Sequence, residues 1–324
     1  MTATKNKPNE IKLARVYDAP LKMVWDAWNE PDQAAHWWGP RGFTITTHSK
    51  TLKPGGVWHY TMHGPDGVDW VNKTKYLEVV PYSKMVYDHG GNDEQKPMFR
   101  VTVLFQEVGG KTHMEMTMAH DTPEAAENSR QVIQKHGGNS TWDRLAEYLE
   151  QGASKKEIFV INRSFNAPIE KLFDVWTTPE HLARWVPPTG FTMKFIRVEI
   201  KPGGEGFYCM SMENGGGHTM YGKTKYLEII RPTKIVYTQQ FADEKGNTAP
   251  HPMAPTWPET MLTTVLFTPE GEDQTRLTLT WEPYGKSSPA EMETFIKARP
   301  SMAGGWTGSF DKLDDYLEKQ EVKA

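Results

Sequence analysis

From Ile11 to Tyr17 apolar and polar residues alternate in the period of a half-buried strand, and Asp18-Ala19-Pro20 then places a proline at the first turn of a helix. Leu21, Val24, Trp25 and Trp28 fall on one helical face, Pro31 interrupts, and a short second helix runs to about Trp38. From Phe43 to His120 the dominant pattern is strand. It is cut by turn residues at Pro54-Gly55-Gly56, Gly64-Pro65-Asp66-Gly67, Pro81, Gly90-Gly91 and Gly109-Gly110, which predicts a six-strand meander. A helix from about Pro123 to Gln151 follows, with Trp142, Leu145, Tyr148 and Leu149 at three- and four-residue spacings.

The same pattern then returns. Asp18-Ala19-Pro20, Trp28, Trp37, Gly42-Phe43 and Lys53-Pro54-Gly55-Gly56 recur 148 residues later as Asn166-Ala167-Pro168, Trp176, Trp185, Gly190-Phe191 and Lys201-Pro202-Gly203-Gly204. KTKYLEVV from Lys73 recurs from Lys223 as KTKYLEII, TVLF ends at Phe105 and again at Phe267, and Trp142-Asp143-Arg144-Leu145 answers Phe310-Asp311-Lys312-Leu313. The spacing grows along the copies, so loops have taken up insertions, the largest at Phe241–Trp257 against Gly90–Pro97. Each copy is long enough to bury its own core. The polar stretch Gln151-Gly152-Ala153-Ser154-Lys155-Lys156 places the boundary, giving domains 1–152 and 153–324. The fold class is α+β.

An antiparallel sheet turns alternate residues to the core. The predicted inward sets are Trp58, Tyr60 and Met62; Phe99, Val101, Val103 and Phe105; and Met114, Met116 and Met118. In the second copy they are Tyr208, Met210 and Met212; Thr263, Val265 and Phe267; and Leu277, Leu279 and Trp281. The strand, the Ala-Pro helix with its Trp, Trp37-Trp38-Gly39, the Lys-Pro-Gly-Gly turn, the Lys-Tyr-Leu-Glu strand and the terminal Trp-x-x-Leu-x-x-Tyr-Leu helix together resemble the START-like (SRPBCC) superfamily. More narrowly they resemble homologues of the C-terminal domain of the heat-shock-chaperone ATPase activator. The resemblance covers nearly the whole chain, twice. It implies two tandem helix-grip domains, each a curved antiparallel sheet around a long C-terminal helix with a hydrophobic cavity between them, and it leaves activity open.

Composition narrows the partners. Lys+Arg 37 against Asp+Glu 41 gives a net charge of −4, which supplies no overall positive field for nucleic acid or an acidic membrane. The lone Cys209 excludes an intramolecular disulfide and a cysteine zinc site and suits the cytoplasm. No run of 18 apolar residues occurs and the N-terminus lacks an apolar signal stretch, so the expectation is a soluble, unexported protein.

Catalytic and metal signatures are weak. His59 and His63 lie about 13 Å apart along a strand, too far to share a metal. No G-x-S-x-G occurs, and Cys209 has the outward parity. Lys-Pro-Gly-Gly joins two strands with no Walker lysine after it, so it reads as a tight turn rather than a phosphate cradle. No metal and no cofactor is expected. His136-Gly137-Gly138 and Gly304-Gly305 fall inside predicted helices, marking either a kink or room for a ligand.

Position raises Trp38, Tyr60, Tyr87, His89, Met118 and Trp142 in the first copy, and Trp185, Tyr208, Tyr237, Trp281 and Trp306 in the second, as candidate ligand contacts. The leading reading is a noncatalytic binder of small apolar or aromatic molecules. The alternatives are a chaperone-associated protein, which the resemblance implies, and a cyclase- or hydrolase-like enzyme using His89, Asp88 or Tyr87. The first copy has His89, Trp58 and Gly138 where the second has Gln239, Gly206 and Trp306. These pairs predict the more open and more polar pocket in the first copy, with binding that changes near a histidine pKa of about 6.5.

Overall fold

The computed structural model describes residues 7–90, 96–135, 140–153, 157–213 and 219–321. The chain divides into two compact units, Met1–Ala153 and Ser154–Ala324. The first begins with strand β1 (Glu10–Tyr17) and helices α1 (Leu21–Asn29) and α2 (Pro31–Trp37). It continues through β2 (Thr44–Lys50), β3 (Val57–His63), β4 (Asp69–Val80), β5 (Lys84–His89), β6 (Phe99–Val108) and β7 (Lys111–Ala119), then helices α3 (Pro123–Lys135) and α4 (Ser140–Ala153). The second repeats the order with β8 (Phe159–Phe165), α5 (Ile169–Thr177), α6 (Pro179–Trp185), β9 (Phe191–Val198), β10 (Glu205–Met212) and β11 (Met220–Ile230). It ends with β12 (Lys234–Ala242), β13 (Met261–Pro269), β14 (Thr275–Pro283) and α7 (Pro289–Glu321).

Among the described residues each unit holds a seven-stranded antiparallel sheet, ordered β1-β7-β6-β5-β4-β3-β2 and β8-β14-β13-β12-β11-β10-β9. The first strand of each unit pairs with the last of the meander, Leu13 opposite Met116 and Ile161 opposite Leu279. Register shifts at Thr47/Ser49 and Tyr76/Glu78, and at Phe207/Tyr208 and Tyr226/Glu228, add the bend that makes each sheet concave. Leu145, Ala146 and Leu149 of α4, and Phe310, Leu313 and Leu317 of α7, pack into their respective cores.

The repeated residues make repeated contacts. The Trp37 indole donates to the Ala27 carbonyl at 2.9 Å, and Trp185 donates to Val175 at 3.4 Å, so each ties the second helix of its unit to the first. Thr112 and Thr275 each donate a hydroxyl to the carbonyl before the proline of the Ala-Pro step, Ala19 and Ala167, both at 2.8 Å. These buried donors would cost about 1–3 kcal/mol each if left unpaired. Lys-Pro-Gly-Gly is a tight turn: Gly55 has φ +79° and Gly203 φ +80°, while a Cβ on Gly56 or Gly204 would lie 2.1 Å from the Thr51 or Glu199 carbonyl oxygen.

Three details differ from the pattern reading. The first unit's terminal helix is described as α3 and α4, and His136-Gly137-Gly138 lies outside the described residues. The second unit's counterpart is one 33-residue helix that contains Pro300, whose missing N–H removes one helical hydrogen bond. Met212, expected inward, is exposed at the end of β10, where the strand has run past the core.

Candidate functional site

In the second unit the concave sheet face and α7 enclose a cavity of about 610 Å³. Its floor is Tyr208 and Met210 on β10, Thr224 and Tyr226 on β11, Ile235, Tyr237 and Gln239 on β12, Met261 on β13 and Trp281 on β14. Ala298, Met302, Gly305 and Trp306 of α7 cover it, and Trp176, Leu182 and Val186 close one end. The Phe241–Trp257 insertion adds Phe241, His251, Met253 and Trp257 to the wall. That insertion is braced by rings: Phe241 to His251 at 4.5 Å, His251 to Trp257 at 5.9 Å, and Trp257 to Phe295 of α7 at 6.1 Å.

Glycines hold the space open. A Cβ on Gly305 would meet nothing within 4 Å, so the helical glycine contributes room above the sheet. On the floor, a Cβ on Gly222 would stand 2.4 Å from the Cζ and Oη atoms of Tyr208. Gly222 is the cross-strand partner of Tyr208, whose ring lies over it and across β11. Gly206 leaves out a side chain altogether on the same inward row.

Few polar groups enter this space. The Thr263 hydroxyl, buried behind the floor, donates to Gln239 Oε1 at 3.0 Å. Gln239 also opposes the rise of the neighbouring Tyr208 pKa. Burial holds the phenols of Tyr208 and Tyr226 up at about 12, and that of Tyr237 higher still, so all three are neutral donors at physiological pH. Burial also lowers the pKa of His251.

The candidate residues separate by unit. Tyr208, Tyr237, Trp281 and Trp306 line the cavity. Trp185 does not: it is fully buried and holds α6 to α5, as described above. Trp306 forms a wall rather than a plug, stacked on Trp176 at 6.2 Å and edge-on to Trp281 at 5.7 Å. In the first unit Trp38, Tyr60 and Trp142 belong to a packed aromatic cluster. Trp58, itself 1% exposed, sits 4.7 Å from Trp38 and 4.3 Å from Tyr60, and Trp142 stacks on Trp28 at 5.1 Å. Trp38 donates to the Tyr60 hydroxyl at 3.3 Å. Tyr87 and Met118 pack in the same core.

A sheet-to-helix cavity is thus present in the second unit, where the narrower pocket was expected, and Gly138, on which the expected ranking rested, lies outside the described residues. By the 148-residue spacing, Gly206 and Val186 stand where the first unit has Trp58 and Trp38. Two indoles on the floor and end wall outweigh the single Trp306 on the helix. The expected titration is corrected. His89 is stacked on Phe99 at 4.9 Å, and burial pulls its pKa down to about 4, well below the range in which it was expected to switch.

Gly206, Gly222, Gln239 and the insertion's Trp257 and His251 were not among the sequence candidates. The legible signal was a pair of glycines interrupting strands that otherwise alternate. Among the described residues no three potential ligands gather to hold a metal ion, and no helix is long and apolar enough to cross a membrane.

A curved antiparallel sheet with a C-terminal helix across its concave face, present twice, defines a tandem helix-grip protein of the START-like (SRPBCC) type. Residues 18–150 and 166–318 each match the family described as Activator of Hsp90 ATPase homolog 1-like protein, and the chain belongs to that family. Similar solved structures include a Nitrosomonas europaea protein, 22% identical over 46% of this chain and 98% of its own, with a TM-score of 0.42. A Staphylococcus epidermidis protein is 25% identical over 48% of this chain and 98% of its own, also at 0.42. The di-domain ARO/CYC BexL from the BE-7585A biosynthetic pathway is 14% identical over 94% of this chain and 97% of its own, at 0.38. No curated protein matches the chain.

Proposed function

We propose that the second unit binds a small apolar or aromatic molecule between its sheet and α7, without chemistry on it. The observation that carries this reading is the cavity of about 610 Å³ with its walls of Trp, Tyr, Phe and Met. Ligand pockets are typically about 300–1,000 Å³, mostly apolar, with a few placed polar groups. The cavity is a property of this chain's own residues, whereas the chaperone reading rests on family membership alone.

The test is a thermal-shift and native mass spectrometry screen of aromatic and lipid compounds against the full chain. A true ligand at about 100 times its dissociation constant adds about 2.7 kcal/mol. Gly206→Trp should abolish that gain by filling the floor. The first unit already carries Trp58 opposite Thr74, so this sheet geometry accommodates the ring there. Stabilisation that survives Gly206→Trp, or that is absent across the screen, removes the reading.

A further inference from the structure

We propose that the first unit carries a site for a divalent transition-metal ion of the kind imidazole prefers, copper, nickel or zinc, held by His48 and His59 on the outer face of its sheet.

His59 and His63 stand too far apart along β3 to share an ion, but a nearer histidine lies on the neighbouring strand. Thr47 pairs with Tyr60 and Ser49 with His59, so His48 is the extra residue of the bulge between those pairs. Tyr60 is buried in the core, which turns His59 to the outer face, and the bulge brings His48 beside it. Both histidines are exposed. Their ring centres stand 5.1 Å apart with the planes tilted by 52°. With metal–nitrogen distances of about 2.0–2.1 Å, two imidazoles that share one ion at an angle between square and tetrahedral have centres roughly 4.5–5.2 Å apart. The spacing of this pair falls in that range.

The ring nitrogens are available. His48 Nε2 is hydrogen-bonded to Thr61 Oγ1 at 2.8 Å, and Thr61 is itself buried. A metal at Nδ1 selects the tautomer in which Nε2–H donates to that hydroxyl, the outer-shell hydrogen bond that commonly orients a metal-bound histidine. His48 Nδ1 and both nitrogens of His59 have no hydrogen-bond partner among the described residues. His63 is different: its Nδ1 meets Asp69 at 2.6 Å and its Nε2 meets Thr46 at 2.9 Å, so it is already engaged. Two protein ligands with water completing the shell fit the finding that no three potential ligands gather among the described residues. Lys73, opposite His59 on β4, adds positive charge rather than a ligand, so the affinity expected is modest.

The bulge does not require histidine. The second unit repeats it, with Phe195 opposite Tyr208 and Arg197 opposite Phe207, and carries Ile196 and Phe207 where the first unit has His48 and His59. The paired imidazoles are therefore an addition to a shared framework. Their chemistry favours copper, nickel and zinc over magnesium, which takes oxygen ligands.

The experiment is isothermal titration calorimetry of the full chain, free of any affinity tag, with nickel(II), zinc(II) and magnesium(II) chloride. Nickel and zinc should bind at this site and magnesium should not. His48→Gln and His59→Gln should each weaken nickel at least about ten-fold, and the double variant should lose little more than either single one, because one imidazole alone does not chelate. His63→Gln should leave nickel binding in place. Copper(II) electron paramagnetic resonance should show two nitrogen ligands in the full chain and fewer in either variant. Both replaced side chains are exposed, so metal-free melting curves of the variants should match that of the unaltered chain. Absence of nickel binding by the full chain overturns the proposal. So does nickel binding that survives either substitution, or losses that multiply in the double variant as for two independent histidines.

Discussion

Trp58→Ala should open in the first unit the space that the second unit already has. Trp58 is 1% exposed, packs against Trp38 and Tyr60, and donates its indole N–H to Thr47 Oγ1 at 3.1 Å. A tryptophan buries about 150–250 Å², which at about 25 cal/mol per Å² is worth about 4–6 kcal/mol, and measured Trp truncations in cores cost about 3–5 kcal/mol. For a domain of this size each kcal/mol moves Tm by about 2–4 °C, so the first unit should melt about 6–20 °C lower. The second unit's transition should stay in place. Calorimetry of the full chain measures the shift, and hydrogen exchange at β3 and β4 assigns it to the first unit. The new void is walled by aromatic rings, so indole should refill it: at about 5 mM, with a dissociation constant of about 1 mM, it returns ~1 kcal/mol. A loss below about 1 kcal/mol, or no response to indole, would falsify the claim that this ring is what fills the first interior.

Three further outcomes follow from the structure. Gly222→Ala should push Tyr208 into the cavity, because the new Cβ would sit 2.4 Å from its Oη; ligand affinity should drop at least about ten-fold while stability falls by no more than about 1–3 kcal/mol, read by parallel binding and urea curves. Burial pulls the Lys50 pKa from 10.5 down to about 7 beside the face of Trp58, so the unfolded chain binds more protons between those values. Stability should therefore rise with pH from about 7 towards 10.5, and denaturant curves of Lys50→Met should lose that slope. His89, lowered by burial from 6.5 to about 4, should cost stability as pH falls from 6.5 through 4, and His89→Gln should flatten melting curves across that window.

Much of this architecture was legible in the sequence. Alternation marks the strands of each sheet, helical spacing marks the helices, and the repeat of the Ala-Pro step, the Lys-Pro-Gly-Gly turn and Lys-Tyr-Leu-Glu declares the duplication. These are local signals: period two for a half-buried strand, helical spacing for a face, and glycine where backbone approaches backbone. Parity also turned Tyr208, Tyr237 and Trp281 towards the interior, and all three line the cavity. What parity cannot do is distinguish a ring that packs on other rings from one that borders a void. Trp38, Trp142 and Trp185 look like Trp281 in sequence, yet the first three pack in the cores or anchor a helix. The openness of the second unit depends on what is missing at Gly206, Gly222 and Val186, on three separate elements, and on an insertion whose Trp257 returns to meet α7. The hydrogen bond from Thr263 to Gln239 likewise joins β13 to β12. Whether space remains is a sum over residues distant along the chain, and only the folded arrangement evaluates it.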